Sequence, residues 1–572
     1  MTETKTVAQA IVEDLARHGV RSVFAQSLPS KIALAIDAHP DMTMVAYRTE
    51  NAGAAMADGF ARVTNQVGIV MAQNGPAATL LVAGLAEALK SSIPVVALVQ
   101  DVNRPHTDRN AFQELDHIAL FQGCTKWVRR VTEASRVSDY VDMAVTAATS
   151  GRPGPTVLML PADLLNESVP VSNGRKASLG RIPLDRSSAD PVRIGEAADL
   201  IAAAKNPLVV AGGGVHLSGA AAEVADLIAE AHLPVLTTVM GKGVVDETLP
   251  LSLGVAGYNL GPLSPARHLR PIIERADVVL LIGTRTNQNG TDSWQLYPDG
   301  ARYIHIDIDP AEIGRNYEAI RLVGDARLTL AELTRALKGR RQSQPSLEKE
   351  IATGRDRHRQ DLLPVLRANT SPVRPERLME DLGKVITPET IVVADASYST
   401  LWIASYLRAL APGMRFITPR GLAGLGWGLP LAIGAKVAHP ASPVLCVVGD
   451  GGFAHVWSEL ETSIRMKTPV VLTVLNNGVL GYQKDAEDVK FGGYTSACHF
   501  APVDHAAIAR ACGCRGVRIE SADDYLPAVR EALASDVTTL IDVNTDPNAY
   551  PPITFFEGVL DSVRAGREQV DA

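Results

Sequence analysis

The stretch that most constrains this chain covers residues 444–484, VLCVVGDGGFAHVWSELETSIRMKTPVVLTVLNNGVLGYQK. An apolar run enters Gly449-Asp450-Gly451-Gly452, helix-spaced residues follow, and a second apolar run ends in Asn476-Asn477. That pattern predicts a β-α-β unit. Its strands are parallel, so Asp450 and Asn477 both emerge at the carboxyl edge of one sheet, where open α/β sheets bind ligands.

One carboxylate, the Asn477 amide oxygen and a backbone carbonyl, assigned to Val479, make a hard-cation donor set of the kind Mg²⁺ prefers, with room left for phosphate oxygens. Gly449, Gly451 and Gly452 let backbone approach an anion closely, and the helix after Phe453 points its N-terminal dipole the same way. The expected occupant is a diphosphate held through Mg²⁺. A GDG alone is a common structural turn; GDGG followed by NNG, each after an apolar strand, is far more specific. In these motifs the chain resembles the thiamin diphosphate enzymes, nearest their acetolactate synthase and pyruvate oxidase branch. The resemblance implies three doubly wound parallel-sheet α/β domains: pyrimidine-binding, middle and diphosphate-binding.

Length agrees with that count, since 572 residues are too many for one core. A net charge of −8 gives no basic footprint for nucleic acid or an anionic membrane. The polar start MTETKTVAQA and the lack of any long apolar run predict a cytoplasmic protein without a membrane span. Five cysteines in so long a chain do not make a disulfide framework, and Cys512 and Cys514 read as small buried thiols.

Alternating helical and strand-like stretches predict the first domain over residues 1–175. Within TENAGAAMADGFAR, Glu50 stands where a strand meets an Ala/Gly-rich helix. Taken alone it reads as an acidic residue stabilising a helix start. The resemblance changes that reading: Gly53, Ala57, Gly59, Phe60, Ala61 and Arg62 follow in the family's spacing, which implies that Glu50 hydrogen-bonds N1′ of the aminopyrimidine and promotes loss of the thiazolium C2 proton. The resemblance also places Gln73 and Asn74 in a substrate-side turn, Phe112 and Gln113 in the reaction pocket through the AFQE segment, and Lys126 beside them through TKW. One departure stands out. The family's glycine-containing turn after Phe24 is replaced by Gln26-Ser27-Leu28, which is expected to reshape the pocket.

A Pro/Ser/Gly-rich linker near residues 166–191 precedes a middle domain over residues 190–340. Gly212-Gly213-Gly214 ends a strand, and Gly283, Arg285, Asp307, Ile308 and Asp325 fall in segments that resemble the nucleotide-holding middle domain of acetolactate synthases. Thr286-Asn287-Gln288-Asn289 stands where that family has F-D-D-R, so two flavin contacts are missing, and FAD, ADP as in acyl-CoA lyase relatives, and an empty cleft are all left open. Charged residues 338–359 read as an exposed connector.

The diphosphate-binding domain is expected over residues 365–547. Its glycine-dense segment, residues 421–430, suggests a ligand pressed against backbone. There the resemblance makes Leu425 the wedge that bends the cofactor and Ala423 the carbonyl that meets its exocyclic amine. After the NN motif, Tyr482 enters the substrate pocket, and Ala486 takes the place of the family's tryptophan, which predicts an enlarged pocket unless Trp402 or Trp457 fills the gap. The aromatic tail, residues 548–572, is a candidate lid. The resemblance implies decarboxylation of a 2-oxo acid and transfer of the acyl carbanion to an acceptor carbonyl, as in acetolactate synthases. A 2-hydroxyacyl-CoA lyase, a sulfoacetaldehyde acetyltransferase-like enzyme and a silent regulatory homologue are the alternatives. It also implies a homodimer or homotetramer in which Glu50 of one subunit serves the cofactor of another.

Overall fold

Three six-stranded parallel sheets carry the chain in the computed structural model, which describes residues 4–171 and 175–570. The first orders its strands Thr43–Ala46, Ser22–Ala25, Gly68–Ala72, Val95–Asp101, Thr156–Pro161, Trp127–Arg130. The third repeats that winding as Phe416–Ile417, Ile391–Ala394, Val444–Gly449, Val471–Asn476, Thr539–Asn544, Arg515–Ile519. The middle sheet runs Ser252–Val255, Val235–Thr237, Pro207–Ala211, Val278–Ile282, Arg302–Asp307, Ala319–Val323. Central strands such as Gly68–Ala72 and Pro207–Ala211 are buried along their whole length, because helices cover both faces of a parallel sheet.

In each sheet the chain starts centrally, winds outward, then returns to the other side of its first strand. That reversal opens a crevice at the carboxyl edge. In the first sheet the crevice lies between the ends of Ser22–Ala25 and Gly68–Ala72, which run into Gln26 and Gln73. The middle sheet has Gly212 and Gly283 there, and the third has Asp395 and Asp450.

The first and third domains share one apolar core, while the middle domain has its own. At their junction the helix Glu50–Thr64 lies on the helix Gly428–Ala438 so closely that a Cβ on Gly434 would collide with the carbonyl of Met56, and one on Gly59 with the carbonyl of Leu431. The Ala/Gly-rich composition of both helices is therefore a packing requirement.

One expectation needs correction. Much of the charged connector is a helix, Pro345–Leu366, that buries Ile351, Gly354, His358, Leu362 and Leu366 along one side. The aromatic tail is docked: Ile553, Phe556 and Leu560 are buried, and Arg564 donates to Asp485 at 2.7 Å. The five cysteines are free thiols, and among the described residues no helix is long and apolar enough to cross a membrane.

Candidate active site

Asp450 opens a short helical turn directly after its strand and is only 6% exposed. Its Oδ1 accepts the Gly451 N–H at 2.9 Å and its Oδ2 the Gly478 N–H at 2.7 Å. Each oxygen thus keeps a free lone pair, and Asp450 makes no ion pair among the described residues. Burial pushes its carboxyl up to about 6. Beside it Asn477 Oδ1 accepts the Val479 N–H at 3.1 Å, which folds the Asn477–Val479 turn toward Asp450. A buried carboxylate without a cationic partner, next to an amide oxygen and a turn of backbone, fits a divalent hard cation. The cradle fits a phosphate as well, since a Cβ on Gly449 would meet only Ser399 Oγ at 3.8 Å and one on Gly478 nothing within 4 Å.

These residues line a cavity of about 410 Å³ together with Ala423, Leu425, Gly451, Gly452 and Tyr482. Sequence reasoning missed Asp395, which shapes its floor. Fully buried, Asp395 accepts the N–H groups of Gly426 (2.9 Å), Trp427 (3.0 Å) and Ala396 (2.9 Å), and so fixes the glycine-rich turn that presents Leu425. Gly452 must lack a Cβ because Asp395 Oδ2 occupies that space. Ala423 adopts φ +61°, where a side chain is disfavoured, and stands at the cavity mouth.

The position on which the enlarged-pocket expectation rests does not face this cavity. Ala486 is buried in the core beneath this cavity and does not line it, whereas Trp402, Tyr398, Tyr258 and Tyr482 do. Tyr482 packs edge-on to Tyr398 and against Phe555 and Phe556 of the tail.

The pyrimidine-side candidates gather elsewhere. Glu50 begins its helix half-buried, with no hydrogen bond to its carboxylate among the described residues. Gln26 Nε2 donates to the Arg48 carbonyl at 2.9 Å, placing the Gln26-Ser27-Leu28 turn beside it. Asn74 Nδ2 donates to the Gln113 carbonyl at 3.0 Å, so the turn after Gln73 meets the Phe112-Gln113 segment. Gln113 takes φ +62° and leaves its buried Oε1 without a partner; Phe112 is 84% exposed. None of these residues lines the cavity of Leu425 and Asp450 in the same chain. Lys126 is not brought to them: it precedes the strand Trp127–Arg130, at the opposite edge of the sheet, and donates to the carbonyls of Ser150 (2.6 Å) and Arg152 (2.9 Å). Matching order along a chain does not put residues at the same end of a strand.

Two buried carboxylates, both invisible as such in the sequence, lock the halves together. Glu459 of the third domain accepts the N–H of Arg48 (3.1 Å) and of Thr49 (3.0 Å), immediately before Glu50. Reciprocally, Glu87 of the first domain accepts the N–H of Gly421 (2.7 Å) and of Leu422 (2.6 Å), at the start of the glycine-rich turn. Glu459→Ala leaves two part-buried N–H groups without an acceptor and is expected to destabilise the protein by about 1–3 kcal/mol in total. Glu459→Gln, which keeps an acceptor, should cost less, and thermal unfolding of the two variants checks the order.

The middle-domain candidates other than Gly212 line a second cleft of about 380 Å³. Gly213, Gly214, Gly283, Arg285, Asp307, Ile308 and Asp325 all border it. Burial pushes Asp307 up to about 6, and Arg285 makes no ion pair among the described residues. The glycines have an internal reason to be small, which weakens their reading as a phosphate cradle: a Cβ on Gly212 would collide with the Gly283 carbonyl, and one on Gly214 would lie 2.8 Å from Gly283 Cα. Asp325 is likewise occupied, capping its helix at Leu328 while accepting from Arg186 (2.8 Å) and Ser218 (2.7 Å).

Comparison with known proteins agrees with this arrangement. Residues 5–120, 194–333 and 395–543 match the N-terminal TPP binding, central and C-terminal TPP binding domain models of the thiamine pyrophosphate enzymes. A probable acetolactate synthase large subunit of Methanocaldococcus jannaschii is 33% identical over 561 residues, covering 96% of this chain and 93% of its own. That of Methanococcus aeolicus is 33% identical over 92% of this chain and 90% of its own, and the acetolactate synthase isozyme 3 large subunit of Escherichia coli is 30% identical over 95% and 96%. With its three sheets, its Asp450–Asn477 crevice and these matches in agreement, the chain belongs to the thiamine pyrophosphate-dependent enzymes, in their acetolactate synthase-like branch.

Proposed function

We propose that this protein is a Mg²⁺-requiring carboligase that decarboxylates a 2-oxo acid and transfers the acyl carbanion to an acceptor carbonyl. The observation that carries the reading is the buried Asp450, which makes no ion pair among the described residues, beside Asn477 in an aromatic-walled cavity. The chain's similarity to acetolactate synthase large subunits supports the 2-oxo acid class.

When bound, thiamin diphosphate supplies a carbon nucleophile and an electron sink. Asp450, Asn477 and the Val479 carbonyl would hold Mg²⁺ against its diphosphate, and the open space at Gly449 and Gly478 would admit the phosphate oxygens. Leu425 would pack against the cofactor, and the Ala423 carbonyl would be available to its exocyclic amine. Glu50 would hold a proton at the aminopyrimidine, which is general acid–base work. Tyr398 and Trp402, which line the cavity, would keep water from the reacting carbon. Because Glu50, Gln73, Asn74, Phe112 and Gln113 lie away from the Asp450 cavity of their own chain, the reading requires two copies, each supplying one half of a site.

A panel of 2-oxo acids, 2-hydroxyacyl-CoA esters and sulfoacetaldehyde, monitored for CO₂ and aldehyde, tests this function. The altered Gln26-Ser27-Leu28 turn is the reason to include the last two substrates. CO₂ release from a 2-oxo acid with carboligation is the expected result; no turnover of any of them would leave a silent homologue.

For the middle cleft, Asp307 and Arg285 offer ribose and phosphate contacts, but Thr286-Asn287-Gln288-Asn289 supplies neither carboxylate nor guanidinium. The purified protein is therefore expected to be colourless or substoichiometric in flavin, and a stoichiometric flavin absorption band would contradict this.

A further inference from the structure

Arg420 is the one cationic side chain among the described residues that line the cavity of Leu425 and Asp450, and it lines the middle-domain cleft as well. Only Asn289, Arg420 and Ala423 border both spaces, so Arg420 stands where they meet. Its half-buried guanidinium makes no ion pair among the described residues. One N–H group, from Nη2, donates to the Tyr258 phenol oxygen at 3.0 Å, and the cation lies 5.8 Å from the centre of that ring. The remaining N–H donors are free for a ligand.

The carboxylates around it are otherwise engaged. Asp395 is saturated by backbone N–H groups, Asp546 is paired with Arg374, and Asp450 faces the diphosphate turn. Tyr258, in turn, is held from two sides: its N–H donates to the Asn289 carbonyl at 2.9 Å, and its carbonyl accepts the Thr554 N–H at 2.7 Å. A docked tail thus fixes a tyrosine that aims an uncompensated guanidinium into an aromatic-walled cavity.

We propose that Arg420 is the substrate-recognition residue of this enzyme, binding the carboxylate of the 2-oxo acid above Leu425, with Tyr258 as its positioning residue. The assignment rests on the function proposed above. Guanidinium meets carboxylate as a planar, charge-assisted fork, which lysine does not reproduce. Arg420 therefore selects anionic substrates over neutral carbonyl compounds of the same shape.

The test uses full-length enzyme loaded with Mg²⁺ and thiamin thiazolone diphosphate, which cannot react at C2. Binding of pyruvate, 2-oxobutyrate and their neutral amides is measured by ligand-observed NMR, and ADP binding in parallel. Arg420→Met should weaken the carboxylates about tenfold or more, as expected for a lost charge-assisted bond, and leave the amides within about twofold. Arg420→Lys should fall between wild type and Arg420→Met. Equal losses for acid and amide, no loss at all, loss confined to ADP, or a wild type that prefers no acid over its amide would each overturn the proposal. Unchanged amide and cofactor-analogue binding shows that Arg420→Met still folds. Failure of the functional reading appears separately, as absence of CO₂ release by wild-type enzyme carrying authentic cofactor.

Discussion

Asp450→Ala is expected to abolish retention of thiamin diphosphate and leave the fold intact. Removing the only carboxylate of the cation site should weaken binding beyond the roughly 10–100-fold that loss of a merely supporting contact causes. Calorimetric titration with cofactor and Mg²⁺ checks this, and unchanged affinity would remove the basis of the metal-site reading. The pH dependence has a definite sign. Burial raises the Asp450 carboxyl from its ordinary 3.8 to about 6, so in the cofactor-free protein it contributes stability while protonated and loses that contribution as pH rises through this window. Cofactor-free Asp450→Asn should accordingly be no less stable than wild type above pH 6. Cofactor affinity of the wild type runs the other way and should fall as pH drops through about 6, because a protonated carboxyl cannot hold the cation.

Glu50→Gln should keep cofactor affinity while slowing hydrogen exchange at the thiazolium C2 by roughly 10²–10⁴-fold, the scale of general acid–base catalysis. The amide preserves shape and removes only the ionisable group, so proton exchange followed by NMR isolates the role. The same variant tests the two-copy site. When Glu50→Gln and Asp450→Ala chains are mixed into hybrid dimers, a site shared between copies leaves one of the two sites with both residues intact. If each chain used its own Glu50 and Asp450, every site would carry one defect and no activity would return.

Much of the architecture was legible before any coordinates. Strand runs ending in Gly449-Asp450 and Asn476-Asn477 signal a parallel unit because apolar periodicity and glycine turns are local properties, and the parallel sheets follow from the alternation of such units. The pairing of Asn74 with the Phe112–Gln113 segment also agrees with their grouping in one candidate pocket. Other placements were not legible. Lys126 and Ala486 were placed by alignment to a motif, which gives position along the chain but neither which end of a strand a residue occupies nor what packs against it, and the structure puts both away from the Asp450 cavity.

By itself, then, the sequence determined the three-domain α/β plan, which follows from local apolar periodicity, and the strand-end turns that carry Asp450 and Asn477. Tertiary structure alone decided which carboxylates organise that turn. Nothing in the sequence singles out Glu459 or Glu87, yet they accept from backbone N–H groups 411 and 334 residues away. Only domain packing also reveals that Glu50 stands apart from the cavity of its own chain and that Arg420 faces it, because a charge acquires a role from the groups that surround it, and those are brought together by burial of distant apolar surface rather than by sequence neighbours.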